Sequence, residues 1–432
     1  MGKRVKKYKF FYFFRLISFR FSCNLLYQKL SSKNKEFLMD WQKYIDKYEN
    51  ELKNKVIPFW MDHCVDKECG GYFTSLDRDG SVYDTTKYMW MQWRIVYMFA
   101  EIYLAGDKNP EYVKIAEEGF DFLYKHGRDE NGMYYFAINR EGVPAMAPYS
   151  LFSDCFAAMG GAKLYKITGK QIHADAAVEA MNNYLKRAKS GNSALQWNKS
   201  MEGKTAYLSL GHYMMMANLG LIMNECLGGD QFKDAMDTAV DMVLNKFYSP
   251  EFGLVFENMP VDSDKPDLES SIGRQMNPGH VLEAMWFLLN YLENVPGSEE
   301  KIKGILNIIS NTLEFGWDKE FGGIYYFMDA LGKPHLELQH NMKLWWVHNE
   351  ATLACLYAYS VSKDQKFLDW FEKVDSWMWA HFPDPDYGEW FAYCDRQGTR
   401  THTLKGGKWK TFFHVPRCLL FAAERMKKIK NG

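Results

Sequence analysis

The feature that most limits how this chain can fold is a change of helix character, made six times over. From Asp40 onward, segments with helical periodicity and one polar face (40 to 60, 111 to 125, 171 to 188, 231 to 247, 299 to 315, 364 to 380) alternate with segments apolar nearly all round (89 to 105, 151 to 167, 205 to 227, 281 to 292, 345 to 361, 413 to 428). A helix that is apolar on every side needs neighbours on every side. Membrane spans would meet that need, but these helices carry Arg94, Asp154, His212, Glu350 or Arg417 at or near one end, and the helices between them have polar outer faces. They read as buried inner helices.

A glycine and aromatic segment recurs between an amphipathic helix and the apolar one after it. The copies are Gly70-Gly71-Tyr72-Phe73, Gly132-Met133-Tyr134-Tyr135-Phe136, Gly253-Leu254-Val255-Phe256, Gly322-Gly323-Ile324-Tyr325-Tyr326-Phe327 and Gly388-Glu389-Trp390-Phe391. Four of them lead into a second turn signal, at Asp79-Gly80, Glu141-Gly142, Leu331-Gly332 and Gln397-Gly398, so each reads as a short hairpin. The markers Gly71, Gly132, Gly253, Gly322 and Gly388 are 61, 121, 69 and 66 residues apart, which places a decayed copy near residue 190. Repeats of this period imply a closed or stacked helical array. Six helix pairs closing on themselves predict an all-α double ring, apolar helices inside, amphipathic ones outside, and the hairpins crowded at one end.

Composition excludes several functions. The chain has 432 residues, 47% of them hydrophobic, enough for a large core in one repeat-built domain. With 53 basic and 54 acidic residues and no long block of like charge past the first forty, nothing favours nucleic acid. Eight cysteines lie scattered without CxxC pairs, which suits a reducing, cytoplasmic setting and no structural zinc. Residues 1–38 are basic and then aromatic, interrupted by Arg15 and Arg20, and show neither a clear uninterrupted apolar core nor a clear small-residue cleavage site, as a signal peptide would. They read as an extension outside a single domain at 39–430, of the kind that upstream sequence translated from an early start codon would give, with export or a membrane role as the minor alternative. A homodimer is compatible with the composition and not required by it.

The double ring has a chemical consequence. Each hairpin precedes the N-terminus of an inner helix, so six N-termini and their partial positive charges converge on one central cleft, where a developing anion is favoured. Asn277 is a good N-cap and Pro278 fits the first helical position, so His280 falls in the first turn of a buried helix. The N-terminus should hold that imidazole neutral, as a base, and Glu283, three residues on, shares its face and would orient it. Read alone, such a histidine is often only a packed capping residue. His212 and His414 lie near other inner-helix starts, and Arg94 a little deeper. Two histidines and an arginine at one mouth suit proton abstraction beside a carbonyl, with the arginine holding the enolate. Trp346 and Trp409 would give flat walls for a sugar, although any one tryptophan is more commonly core.

Several motifs resemble one family. Tyr88-Met89-Trp90-Met91-Gln92-Trp93-Arg94, Gly273 through Ala284, Lys343-Leu344-Trp345-Trp346-Val347-His348-Asn349-Glu350-Ala351, and Lys405-Gly406-Gly407 with Phe413-His414-Val415-Pro416-Arg417-Cys418 are together similar to the N-acylglucosamine 2-epimerase family, over about residues 40 to 428. The resemblance implies an (α/α)6 barrel with His280 and His414 as the acid/base pair, and Arg94, Glu283, Glu350, Trp346 and Trp409 in the pocket. His212 is a further candidate for substrate binding. The implied reaction interconverts N-acylglucosamine and N-acylmannosamine through an enediolate. Relatives epimerise cellobiose or isomerise mannose and glucose. ATP enters as an activator and not a reactant, and the chemistry needs no cofactor; Gly406-Gly407-Lys408-Trp409 is not a phosphate loop.

Two rivals remain in view. The same double ring hosts inverting glycosidases, which need two carboxyls about 6.5 to 9.5 Å apart; Glu283 and Glu350 are the candidates. A non-catalytic binding protein would use the aromatic cleft or an outer face, as mammalian relatives described as binding renin suggest. Metal is not expected, because His280 and Glu283 do not form an HExxH pair.

Overall fold

The computed structural model describes residues 39–189 and 206–432. The expectations for residues 1–38 and for the decayed copy at Ser190 to Lys199 lie outside the described residues.

The alternation read from sequence is the architecture. Helix α1 (Trp41–Glu51) continues through a π-helical turn, Leu52–Val56, into α2 (Ile57–His63). The turn falls just ahead of Pro58, which has no amide to donate. Then come inner α3 (Met89–Leu104), outer α4 (Pro110–His126), inner α5 (Phe152–Thr168), outer α6 (Gln171–Lys189), inner α7 (Leu210–Leu227) and outer α8 (Lys233–Asp241), which a second π turn, Met242–Lys246, extends. Inner α9 (Pro278–Leu292), outer α10 (Glu299–Gly316), inner α11 (Trp345–Ser362), outer α12 (Gln365–His381) and inner α13 (His414–Asn431) complete the set. Each inner helix packs on the next, and α13 returns to α3, so the inner ring closes. Outer α1 packs on α13, which makes the last pair from the two ends of the described chain. This is an (α/α)6 barrel.

Burial explains the order. Leu282, Leu288 and Leu289 of α9 are fully buried, each contributing roughly 1.5 to 3 kcal/mol, and so are the residues around every side of α11. Caps set the starts: Asn277 accepts from the His280 amide, Asn109 from Glu111 and Asp364 from Lys366. No helix among the described residues is long and apolar enough to cross a membrane.

All five glycine and aromatic segments fold back on the residues before them, at Val65 with Tyr72, Arg128 with Tyr134, Tyr248–Ser249 with Leu254–Val255, Trp317 with Ile324, and Pro383 with Trp390. Sequence reading treated these hairpins as separate. The structure sews neighbours together, because strands preceding inner helices pair with the following repeat: Lys87–Tyr88 with Ala137–Ile138, Gln275–Met276 with Met328–Asp329, and Lys343–Leu344 with Tyr393–Cys394. A buried carboxylate repeats the stitch. Asp66 binds Lys87 and Arg140, Asp318 binds Lys343 and Arg396, and Asp384 binds Lys405 and, across the closure, Arg78.

Candidate active site

The hairpin end opens into a cavity of about 880 Å³, walled by inner-helix starts and hairpin loops. His280, His414, Arg94, Glu283, Trp346 and Trp409 all line it. Glu350 does not, but sits fully buried behind His414. His212 is not part of the wall; its ring packs on Phe152, and burial drives it down to about 4. Asp154 is also drawn away, paired with Arg187 at 2.6 Å.

His280 is held by a residue the sequence did not single out. Its Nδ1 lies 2.9 and 3.0 Å from the two carboxylate oxygens of Glu257, which follows the Gly253 hairpin segment. Burial alone would lower this imidazole, but the charge and hydrogen bond of Glu257, with Glu283 and Glu350 beyond, more than offset it and raise His280 above its ordinary value. Glu257 therefore works against the helix N-terminus, which was expected to favour the neutral imidazole. A full carboxylate charge at hydrogen-bond distance outweighs the partial charge of a helix end. Nor does Glu283 orient His280: its carboxylate turns to Arg417 at 2.5 Å.

His414 begins α13, and its Nδ1 lies 2.7 Å from Oε1 of Glu350. That carboxylate is shared: Oε1 also takes Nη2 of Arg417 at 2.6 Å, and Oε2 takes the Trp286 indole at 2.8 Å. Burial, then the positive charge of Arg417, push His414 well below its ordinary value, against the pull of Glu283. The two histidines are thus matched in contact and opposite in charge preference. With Nδ1 engaged by a carboxylate on each ring, Nε2 is the nitrogen each presents for proton exchange.

Trp346 sets their spacing. Its ring is 5.3 Å from that of His280 and 5.6 Å from that of His414, centroid to centroid, so the imidazoles stand no farther apart than the sum of those distances. Gly279 permits this, since a Cβ there would fall 2.6 Å from the Trp346 ring. Trp409 stands at the mouth, 55% exposed, edge-on to Trp90 at 5.2 Å.

Arg94 lies among aromatic faces, 4.2 Å from Phe156, 4.5 Å from Phe413 and 4.8 Å from Trp90. Burial pulls it down to about 9, and its buried Nε has no hydrogen-bond partner. Such a group is ready for an anion. Glu283, Glu350 and His414 place ligand atoms within 4.8 Å of one another, a spacing that could hold a metal ion. Arg417 already stands there as the cation, bonded to both carboxylates. The same spacing is shorter than the roughly 6.5 to 9.5 Å of an inverting glycosidase pair, which must leave room for a water.

Residues 71–418 match the N-acylglucosamine 2-epimerase family. The mouse N-acylglucosamine 2-epimerase (Mus musculus) is 36% identical over 397 residues, covering 90% of this chain and 92% of its own length. The chain belongs to the N-acylglucosamine 2-epimerase family. It is accordingly a carbohydrate epimerase by family, and the bovine N-acylglucosamine 2-epimerase (Bos taurus) is 35% identical over 92% of this chain and 94% of its own. Among solved structures, the cellobiose 2-epimerase of Spirochaeta thermophila superposes with a TM-score of 0.77 at 19% identity, covering 90% of this chain and 98% of its own. That likeness establishes the fold.

Within this epimerase-family site, sequence reading missed Glu257 as a partner and Arg417 as part of the constellation. Glu257 gave one signal, an acid directly after a hairpin motif; Arg417 gave another, a charge inside an apolar helix.

Proposed function

We propose that the protein interconverts N-acylglucosamine and N-acylmannosamine by removing the C2 proton and returning it on the opposite face. The pocket takes the pyranose, helps it open, and presents C2 of the aldehyde between the two imidazoles. In one direction His414, whose neutral form burial and Arg417 favour, removes the proton through Nε2, and His280, whose protonated form Glu257 favours, delivers one to the other face. Two groups are needed because a single base could invert the carbon only if the intermediate turned over. Arg94 holds the enediolate oxygen, where new charge appears.

One observation carries the reading: two carboxylate-held imidazoles flank Trp346 and prefer opposite protonation states. Proton transfer alone requires no cofactor. ATP, by family resemblance, is an activator. Seven free cysteines among the described residues, most of them buried, suit a reducing, cytoplasmic compartment. Cellobiose and mannose are the alternative substrates. Assays with N-acetylmannosamine, mannose and cellobiose, each with and without ATP, test the proposal. Faster turnover of N-acetylmannosamine supports it, and turnover of cellobiose or mannose alone overturns the substrate.

A further inference from the structure

The carbon that loses its proton also carries the nitrogen substituent, so the wall beside the imidazoles must accept whatever that nitrogen bears. Two helix faces meet next to His280. On α7, Gly211, Met214 and Met215 share one face, at positions i, i+3 and i+4; on α5, Phe152 and Phe156 share another, at i and i+4. A methyl group built on Gly211 would lie 3.4 Å from Cζ of Phe152 and 4.0 Å from Cε1 of His280. Cε1 adjoins Nε2, so this wall abuts the working edge of the imidazole. Phe152, Phe156, Met214 and Met215 line the cavity.

The chemistry of that wall is selective. Apart from the Ser209 hydroxyl, 3.8 Å from the same built methyl, the rings, thioether pair and bare glycine offer no strong hydrogen-bond partner to a hydroxyl, which would lose most of its water there uncompensated. An acyl methyl would lose nothing and gain close contacts with polarizable sulfur and ring faces. At the border of the wall stands Arg94, 4.2 Å from the Phe156 ring, with its buried Nε unpartnered. A guanidinium has donors enough for both a C1 oxygen and the neighbouring amide carbonyl.

We propose that Phe152, Phe156, Gly211, Met214 and Met215 form the acyl pocket, with Arg94 at its polar edge, and that this pocket selects 2-acylamido sugars over 2-hydroxy sugars. The assignment rests on the N-acylglucosamine reading above.

The test measures kcat/KM for N-acetyl-, N-propanoyl- and N-butanoylmannosamine in the wild type, Met215→Ala and Gly211→Ala. Shortening Met215 is expected to raise the ratio of N-butanoyl to N-acetyl turnover about tenfold or more, the scale on which one or two methylenes discriminate in an apolar pocket. The extra methyl of Gly211→Ala is expected to lower that ratio by a similar factor. If Met215→Ala fails to fold, the Gly211→Ala ratio decides, because its methyl meets only ordinary van der Waals contacts. Ratios unchanged in folded, active variants overturn the pocket and leave the epimerase reading standing. A wild type that turns over none of the three sugars overturns both.

Discussion

Nη2 of Arg417 lies 2.6 Å from Oε1 of Glu350, the same oxygen that receives the Nδ1 proton of His414. One guanidinium therefore neutralises the carboxylate that orients His414 and, through its second contact, Glu283, a further carboxylate whose charge reaches that imidazole. Among the described residues, Glu257 has no such cation beside it. Burial of His414, and then this difference, set the two otherwise similar histidines to shift in opposite directions.

Removing the cation should show that dependence. In Arg417→Met two buried carboxylates face His414 with Arg94, and no longer Arg417, left to offset them, the imidazolium is stabilised, and His414 becomes neutral only at higher pH. The acid limb of kcat/KM is expected to move upward, less so in Arg417→Lys, which keeps the charge. A pH and rate series on both variants checks this. An unmoved limb in Arg417→Met would detach Arg417 from the proton transfer.

On the proposed mechanism the alkaline limb belongs to His280, raised by Glu257 and acting as the acid while protonated. Glu257→Gln removes the charge, lowers His280 and brings the alkaline limb to lower pH. Above neutrality the variant is expected to lose part of the ~10² to 10⁴ that general acid catalysis contributes. Turnover across the alkaline range measures it.

On the proposed mechanism Arg94→Met removes the donor to the enediolate oxygen and to the amide carbonyl, and is expected to cost about 10² to 10³ in kcat and to raise KM as well. Arg94→Lys should recover only part, because an ammonium cannot present a planar fork among Trp90, Phe156 and Phe413. Steady-state kinetics on the pair separates the two parameters.

The hairpin layer makes its own prediction. Burial would raise Asp384, but Arg78 at 2.7 Å and Lys405 at 2.9 Å hold it well below its ordinary value. Its stabilising contribution is thus present above the unfolded pKa, about 4, and is lost as pH falls below it. Asp384→Ala leaves Lys405 buried without its partner and is expected to cost about 3 to 5 kcal/mol at neutral pH. Thermal melts should show a deficit that shrinks in acid.

The ring was legible because its signal is local and repeated. Each inner helix announces itself by lacking a polar face, and Asn277-Pro278 marks the start of α9. His280 and His414, 134 positions apart, were found because each breaks an apolar run. Glu257 was not, since a hairpin residue's facing depends on strand register, which the chain sets by pairing with distant segments. The strands that join neighbouring repeats stayed hidden for the same reason. His212 misled because a polar residue near an inner-helix start need not face the axis; its ring lies against Phe152.

Solvent deuterium reports most directly on the central claim, that one imidazole takes the C2 proton and the other returns a different one. Epimerisation of N-acetylmannosamine in deuterated water should give N-acetylglucosamine carrying deuterium at C2, while substrate recovered early keeps its protium. His280→Ala and His414→Ala should each lower that incorporation about 10² to 10⁴-fold. Epimer formed at the normal rate without deuterium at C2, or incorporation undiminished in either variant, would contradict it.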